Sequence, residues 1–415
     1  MTRVAVLSAT RSIVLMIVLA VSAGCSRGPA GPVFHETTDP ETLVEWGVLG
    51  IESGRLVPHE SVIDYELNTP LFSDYAHKLR TVWMPEGTRA SHVSEGAFEF
   101  PVGTIVTKTF YYPLASEGDS SQVLRTAEAR GLERGGRLVL DQVRLIETRV
   151  MVRRASGWAA STYVWDAAQR EARLERAGTV RELTLVSEGE SGRSRVDFDY
   201  VVPDVNQCAG CHATDVKRGS LSPIGLKARH LNREHDYGEA IGRANQLEHW
   251  VSTGRLSAPG ERTGSALALP RAAVWDDTQA PLEARARAYL DINCGHCHNR
   301  LGPADTSGLS LDAAETSPVA LGVCKSPIAA GRGTGNRRFG LVPGAPDESI
   351  TVYRMASTDP GAMMPELGRA LAHEEGVELI RRWIAEWPDA RGCDQVTSNS
   401  ARHSASAARL SRSQG

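Results

Sequence analysis

Two pentapeptides, Cys208-Ala209-Gly210-Cys211-His212 and Cys294-Gly295-His296-Cys297-His298, constrain this chain more than any other feature. Each reads Cys-x-x-Cys-His, the pattern at which haem is attached covalently. The spacing has a chemical reason. On a helix the two thiols share one face, where each can form a thioether to a vinyl group of one porphyrin. The histidine falls four residues after the first cysteine and points under the same ring as an axial iron ligand. The competing use of two such cysteine pairs is a four-cysteine zinc site. Zinc asks for no histidine after both pairs, and Cys294 lies 83 positions beyond Cys211, far past zinc-ribbon spacing. The expectation is two covalent haem c groups, one on Cys208, Cys211 and His212, the other on Cys294, Cys297 and His298.

The N-terminus points to export. Arg3 and Arg11 precede a short apolar run, 12–20, and Ser22-Ala23-Gly24-Cys25 closes it. A run this short behind a basic start reads as a signal peptide over 1–25, not a membrane span. Small residues before a lone cysteine resemble a bacterial lipobox, although Ser22 stands where a Leu-like residue is usual. Cys25 is therefore the expected lipidation site and mature N-terminus, with Ser26 directing an outer-membrane anchor. Ordinary cleavage would instead leave a soluble periplasmic protein. Of the seven cysteines, only Cys324 and Cys393 then remain. In an exported protein two leftover thiols are expected to join as a disulfide.

The formal charge of −4 gives no reason to expect nucleic acid or an anionic membrane surface as partner. The expected partners are periplasmic redox proteins, with the membrane reached only through the lipid anchor. Patterning divides the chain into a β-rich domain (33–203), a first haem module (204–260), a linker (261–280), a cytochrome c-type domain with the second motif (281–393) and a disordered tail (394–415). Strands are expected at 104–112, 143–152, 158–165 and 196–202, where Val196, Phe198, Tyr200 and Val202 alternate with mostly polar residues. The fold class is thus multidomain: an all-β sandwich or barrel followed by small α-helical haem modules. One helix should feed the second motif through Leu282, Ala286, Tyr289 and Leu290. Another, 374–387, should bury Val377, Ile380, Trp383, Ile384 and Trp387. A third, 239–253, should turn Ile241, Ala244, Leu247, Trp250 and Val251 inward.

Axial ligation separates the two motifs. Met363-Met364-Pro365 offers a thioether to the second iron, with Met364 preferred and Met363 or Met355 as alternatives. No methionine lies between His212 and His298. The first iron must take His230, His235, His249, a distant residue such as Met84, or nothing. No group clusters like a catalytic site: the pairs Asp74 with His77 and Glu147 with Arg149 read as structural polar residues.

TPLFSDYAHKLR (69–80), FPVGTIVTKTF (100–110), IETR (146–149), NQLEHW (245–250), RARAYLDINCGHCH (285–298), LVPGAPDESI (341–350) and MMPELG (363–368) together resemble a group of proteobacterial exported dihaem c-type cytochromes with an N-terminal β region. The C-terminal part is also similar to single-haem cytochrome c domains, whose Met-Pro ligand matches Met364-Pro365. The resemblance covers 69–387 and implies a dihaem electron carrier without naming its partners. An electron carrier is the expectation. A peroxidase-like dihaem enzyme with an open first haem is the alternative, and a third reading makes the β domain a binding module for a partner or polysaccharide.

Overall fold

The computed structural model describes residues 31–116, 119–129, 131–133, 135–189, 192–258, 265–328, 331–387 and Cys393. Its first half is β-sheet. In chain order the strands are β1 (Leu49–Glu52), β2 (Arg55–Pro58), β3 (Ile63–Tyr65), β4 (His77–Trp83), β5 (Ile105–Pro113), β6 (Gln122–Leu124), β7 (Leu132–Glu133), β8 (Arg137–Val139), β9 (Val143–Arg154), β10 (Gly157–Trp165), β11 (Ala172–Glu175), β12 (Thr179–Gly189) and β13 (Gly192–Val202). Among the described residues they form a six-stranded sheet in the order β11-β10-β9-β5-β4-β3, a four-stranded sheet β1-β2-β8-β7 and a three-stranded sheet β13-β12-β6. The β-branched and aromatic runs at 104–112, 143–152 and 158–165 become three adjacent strands of the large sheet, because such residues fill a pleated surface buried on both sides. In β13, Phe198, Tyr200 and Val202 are buried as expected, whereas Val196, toward the hairpin tip, is 47% exposed.

The two faces of the six-stranded sheet do different work. One face places Leu79, Ile105, Tyr111, Val150, Val152 and Tyr163 against Trp46, Leu49, Leu56 and Leu138. Each such side chain contributes about 1.5–3 kcal/mol on burial. The buried Trp46 indole donates to the Tyr163 hydroxyl at 2.7 Å, which donates in turn to the Pro40 carbonyl at 2.9 Å, so no polar group in that chain is stranded. The opposite face carries Val82, Val106 and Met151, and these pack on residues from far along the chain: Leu226, Leu231, Leu247, Trp250, Leu269 and Ile292.

That shared core joins segments that patterning placed in different regions of the chain. Ile292 belongs to the second motif's helix, Leu226 and Trp250 to the first motif's segment, and Leu269 to the segment read as a linker; all contribute to one cluster. Backbone bonds reinforce it: the Phe72 amide donates to Asn293 Oδ1 at 2.8 Å, and the Asp74 carboxylate accepts the Ala370 and Leu371 amides at 2.7–2.9 Å.

The helices are α1 (Gln207–His212), α2 (Ala228–Leu231), α3 (Gln246–Ser252), α4 (Leu282–Leu290), α5 (Ile350–Ala356) and α6 (Glu374–Ala385). Only α3 departs strongly from expectation. It starts at Gln246 rather than at 239, because Asn245 caps it, accepting from the Leu247 and Glu248 amides. Gly238 and Gly242, at φ 87° and 76°, break the preceding residues into a hairpin, and Ile241 is 53% exposed. α4, α5 and α6 enclose a second core with Tyr289, Leu290, Val352, Ile380, Trp383 and Ile384. Val377 and Trp387 are only partly buried against it. Cys324 and Cys393 are joined as a disulfide, their Cα atoms 5.1 Å apart.

A cavity between the two cysteine–histidine motifs

The first motif occupies α1, entered by a sharp turn after β13. The Asp204 carboxylate accepts the Asn206 and Gln207 amides at 2.7 and 3.0 Å, and Gln207 Oε1 accepts the Asp204 amide, which fixes where the helix starts. His212 Nδ1 lies 2.8 Å from the Ser222 carbonyl. A carbonyl only accepts, so Nδ1 carries the proton and Nε2 keeps a free lone pair. Burial, with the nearby Lys108 charge, lowers the His212 pKa to about 4, so the ring is neutral at pH 7. This is the form in which imidazole binds a metal.

The second motif follows α4 through a widened π-type turn, Asp291–Gly295. Side chains on both sides of the turn hold it. The Asn293 amide donates to the Tyr289 carbonyl at 3.0 Å, and Asp291 receives Arg229 Nε and Nη2 at 2.7 and 3.0 Å. Gly295 packs closely on the next loop, since a Cβ there would meet the Asp312 backbone at 3.0–3.1 Å and require it to shift by a few tenths of an ångström. His298 Nδ1 lies 3.2 Å from Ser307 Oγ, whose own proton goes to the Ala304 carbonyl at 2.6 Å. Ser307 must therefore accept from His298, and again Nε2 is left free. Burial, aided by Arg354 and His296, lowers the His298 pKa to about 4.

The two motifs are brought together. The Cys211 and Cys297 thiols are in hydrogen-bonding contact, and Cys297 Sγ lies 3.2 Å from the Gly210 carbonyl. Beside them opens a cavity of about 1400 Å³, including its solvent-exposed mouth, lined by Cys208, Cys211, His212 and Cys294. Burial pushes the Cys294 thiol up to about 12. Cys297 and His298 do not line the cavity. All three methionines expected near the second motif do: Met355 and Met363 are buried and Met364 is half-buried.

Three further side chains at this cavity carried no local signal in the sequence. Arg369, 7% exposed, donates to the carbonyls of Met364, Arg354, Ser357 and Leu371 at 2.9–3.1 Å and so fixes the methionine loop. Lys108 and Arg149 project from β5 and β9 to form the sheet side of the wall. Arg149 was expected to be structural with Glu147, and it is ion-paired to that carboxylate at 2.6 Å, but it also reaches the cavity. Asp74 and His77 bond elsewhere, Asp74 to the 370–371 amides and His77 to Thr126.

The candidate ligands for the first iron are placed away from the cavity. His230 is buried with Nε2 3.3 Å from Asp291, His235 bonds Asp64 at 2.8 Å, His249 packs on the Tyr237 ring, and Met84 sits in the shared core. None lines the cavity; Met151 does. Among the described residues no group of three or more His, Cys, Asp or Glu side chains could hold a metal ion by itself. A haem makes no such demand, since the porphyrin supplies four iron ligands and the protein one or two. The donor set fits that group: paired thiols, neutral imidazoles with fixed Nδ1 protons, and thioethers across the cavity. Cys25, its leader and the tail 394–415 lie outside the described residues. Among the described residues no helix is long and apolar enough to cross a membrane. Comparison with protein-family models, with curated proteins and with solved structures finds no match to this chain.

Proposed function

We propose that this chain is an exported dihaem c-type cytochrome that transfers electrons between periplasmic redox partners, anchored to the outer membrane through lipidated Cys25. The observation that carries the reading is the contact of two Cys-x-x-Cys-His motifs, Cys297 Sγ lying 3.2 Å from the Gly210 carbonyl, beside a cavity that Cys208, Cys211, His212 and Cys294 line. Haem supplies a one-electron iron couple when bound. Cys208, Cys211 and His212 would hold one such group and Cys294, Cys297 and His298 the other. The chain keeps both histidines neutral with Nε2 free, and Met364, with Met363 and Met355 beside it on the cavity wall, would offer a thioether to the second iron. The resemblance of 69–387 to dihaem cytochromes supports the same reading. The test is covalent haem content: the purified protein should keep two haems per chain through acid–acetone extraction. Bound zinc with no Soret band would end the proposal.

The peroxidase-like alternative keeps one supporting observation, that His230, His235, His249 and Met84 all lie off the cavity. Carbon monoxide separates the two. A carrier with both irons six-coordinate binds it poorly, whereas an open first haem binds it readily and turns over peroxide with an electron donor.

A further inference from the structure

The sheet face that closes the cavity has a charge pattern that strand pairing makes unfavourable. Arg80 on β4 pairs with Lys108 on β5, which pairs with Arg149 on β9. Direct partners in an antiparallel sheet project to the same side, so three cations stand in one cross-strand row, an arrangement that is destabilising by itself. Lys78, two residues before Arg80, adds a fourth on the same face. Among the described residues only Arg149 of these four is ion-paired within 4 Å, to Glu147; Asp74, Glu147 and Glu66 act on Lys78, Lys108 and Arg80 from further off. Arg80, 7% exposed, has a 3.5 Å approach to the Lys78 carbonyl. Among the described residues the Lys78 and Lys108 ammonium groups make no hydrogen bond or ion pair; they face the Phe110 ring at 5.7 and 5.1 Å. All four basic side chains and His212 line a second cavity of about 660 Å³, including its solvent-exposed mouth, which shares Lys108, Arg149, Met151 and His212 with the first.

A local conflict of this kind, held between a sheet and a ligating histidine, implies a partner of opposite charge. We propose that Arg80, Lys108 and Lys78 form an anion site, built to hold a carboxylate or small oxyanion against the first motif. This rests on the haem reading above. The anion has two sources: the propionates of the group held by Cys208, Cys211 and His212, or a free anion entering through the cavity. If the haem supplies it, the β region is one wall of the first haem site, not an accessory domain.

The sign of a stability change tests the idea. Haem content is counted first, so that absence of haem overturns the functional reading separately. Thermal unfolding of the full-length holoprotein is then compared for wild type, Lys108→Met, Arg80→Met and Lys108→Arg. With an anion bound, removing a cation strands it, and both Met variants should lower the Tm while Lys108→Arg stays near wild type. With no anion, removing a cation relieves repulsion and the Tm should rise or hold. Acetate, exchanged for chloride at constant ionic strength, identifies the source. No effect of acetate on wild type, together with destabilised Met variants, assigns the haem propionates. A saturable rise in the wild-type Tm that Lys108→Met abolishes assigns a free anion. Unchanged or raised Tm in both Met variants with no acetate effect overturns the proposal, as does failure of Lys108→Arg to preserve the wild-type Tm.

Discussion

The two cysteine–histidine motifs share a pattern but not a scaffold. The second sits at the end of α4 and has a helical core around it, in which Tyr289, Leu290, Val352 and Ile380 pack within 282–385. The first sits on a six-residue helix with no buried residue of its own and relies on surfaces contributed by other parts of the chain. Its neighbours are a β-sheet assembled from strands more than 50 residues earlier, including Lys108 on β5 and Arg149 on β9, and the second motif itself. On the proposed haem reading so short a helix would suffice, because covalent attachment needs only the local spacing, while the pocket can be supplied from elsewhere. The difference teaches that one motif is a local unit and the other is a product of tertiary structure.

The most direct way to break the comparison is to remove one site at a time. Cys208→Ala with Cys211→Ala, or Cys294→Ala with Cys297→Ala, should each halve the covalent haem count by pyridine haemochrome assay. The second pair should also cost more thermal stability, since Cys294 packs against the helical core. Equal stability losses would show that both motifs depend on shared structure alike.

The link between the motifs gives the next largest effect. Arg229, within the first motif's segment, is ion-paired to Asp291 at the second, with side chains 10% and 1% exposed. Asp291→Ala leaves Arg229 buried without its partner and should cost about 3–5 kcal/mol in denaturant unfolding. Burial works against the Asp291 carboxylate, but the Arg229 hydrogen bonds and the Arg229, His230 and Lys227 charges outweigh it and lower its pKa. A lowered carboxylate pKa gives stability that is fully present above the ordinary carboxylate range and is lost as pH falls through the folded-state value. Asp291→Asn should flatten that acid limb; an unchanged acid limb would remove Asp291 from the linkage.

Met364→Ala probes the second motif alone. If Met364 ligates, the variant should lose the sulfur-to-iron charge-transfer band, show a lower potential for that haem and bind carbon monoxide, while Met363→Ala keeps the band. Loss of the band in Met363→Ala instead would transfer the role to its neighbour. The smallest effect is expected at the surface clasp between the β region and α6. Arg125 pairs with Glu374 and Glu375, which are 71% and 47% exposed. Such exposed pairs contribute at most about 1 kcal/mol, so Arg125→Ala should lower stability by no more than that, and less at high salt.

Much of the second region was legible in the sequence. The 3.6-residue spacing of Ile380, Trp383 and Ile384, and of Ala286, Tyr289 and Leu290, is a local property that survives into the fold. The strands at 104–112, 143–152 and 158–165 were legible for the same reason, whereas the eleven-residue β12 was not marked out. The helix around Trp250 was read too long because apolar spacing continued back to Ile241, where two left-handed glycines and the Asn245 cap decide the backbone. The roles of Asp74 and Arg369 were hidden, since each acts on backbone groups rather than on a side-chain motif. Asp74 holds amides nearly 300 residues away.

By itself the sequence determined that each motif's two thiols and imidazole share one turn of chain, because positions i, i+3 and i+4 lie on one helical face. It also marked four of the strands and the buried faces of the helices 282–290 and 374–385, through periodicities of two and 3.6. Only the tertiary structure decided that the two motifs touch at Cys211 and Cys297, and that one face of the large sheet turns Arg80, Lys108 and Arg149 toward His212. The physical reason is register. Which residue of one strand stands opposite which residue of another is set by pairing across long loops and by the packing of both sheet faces, and no local window of the chain contains that information.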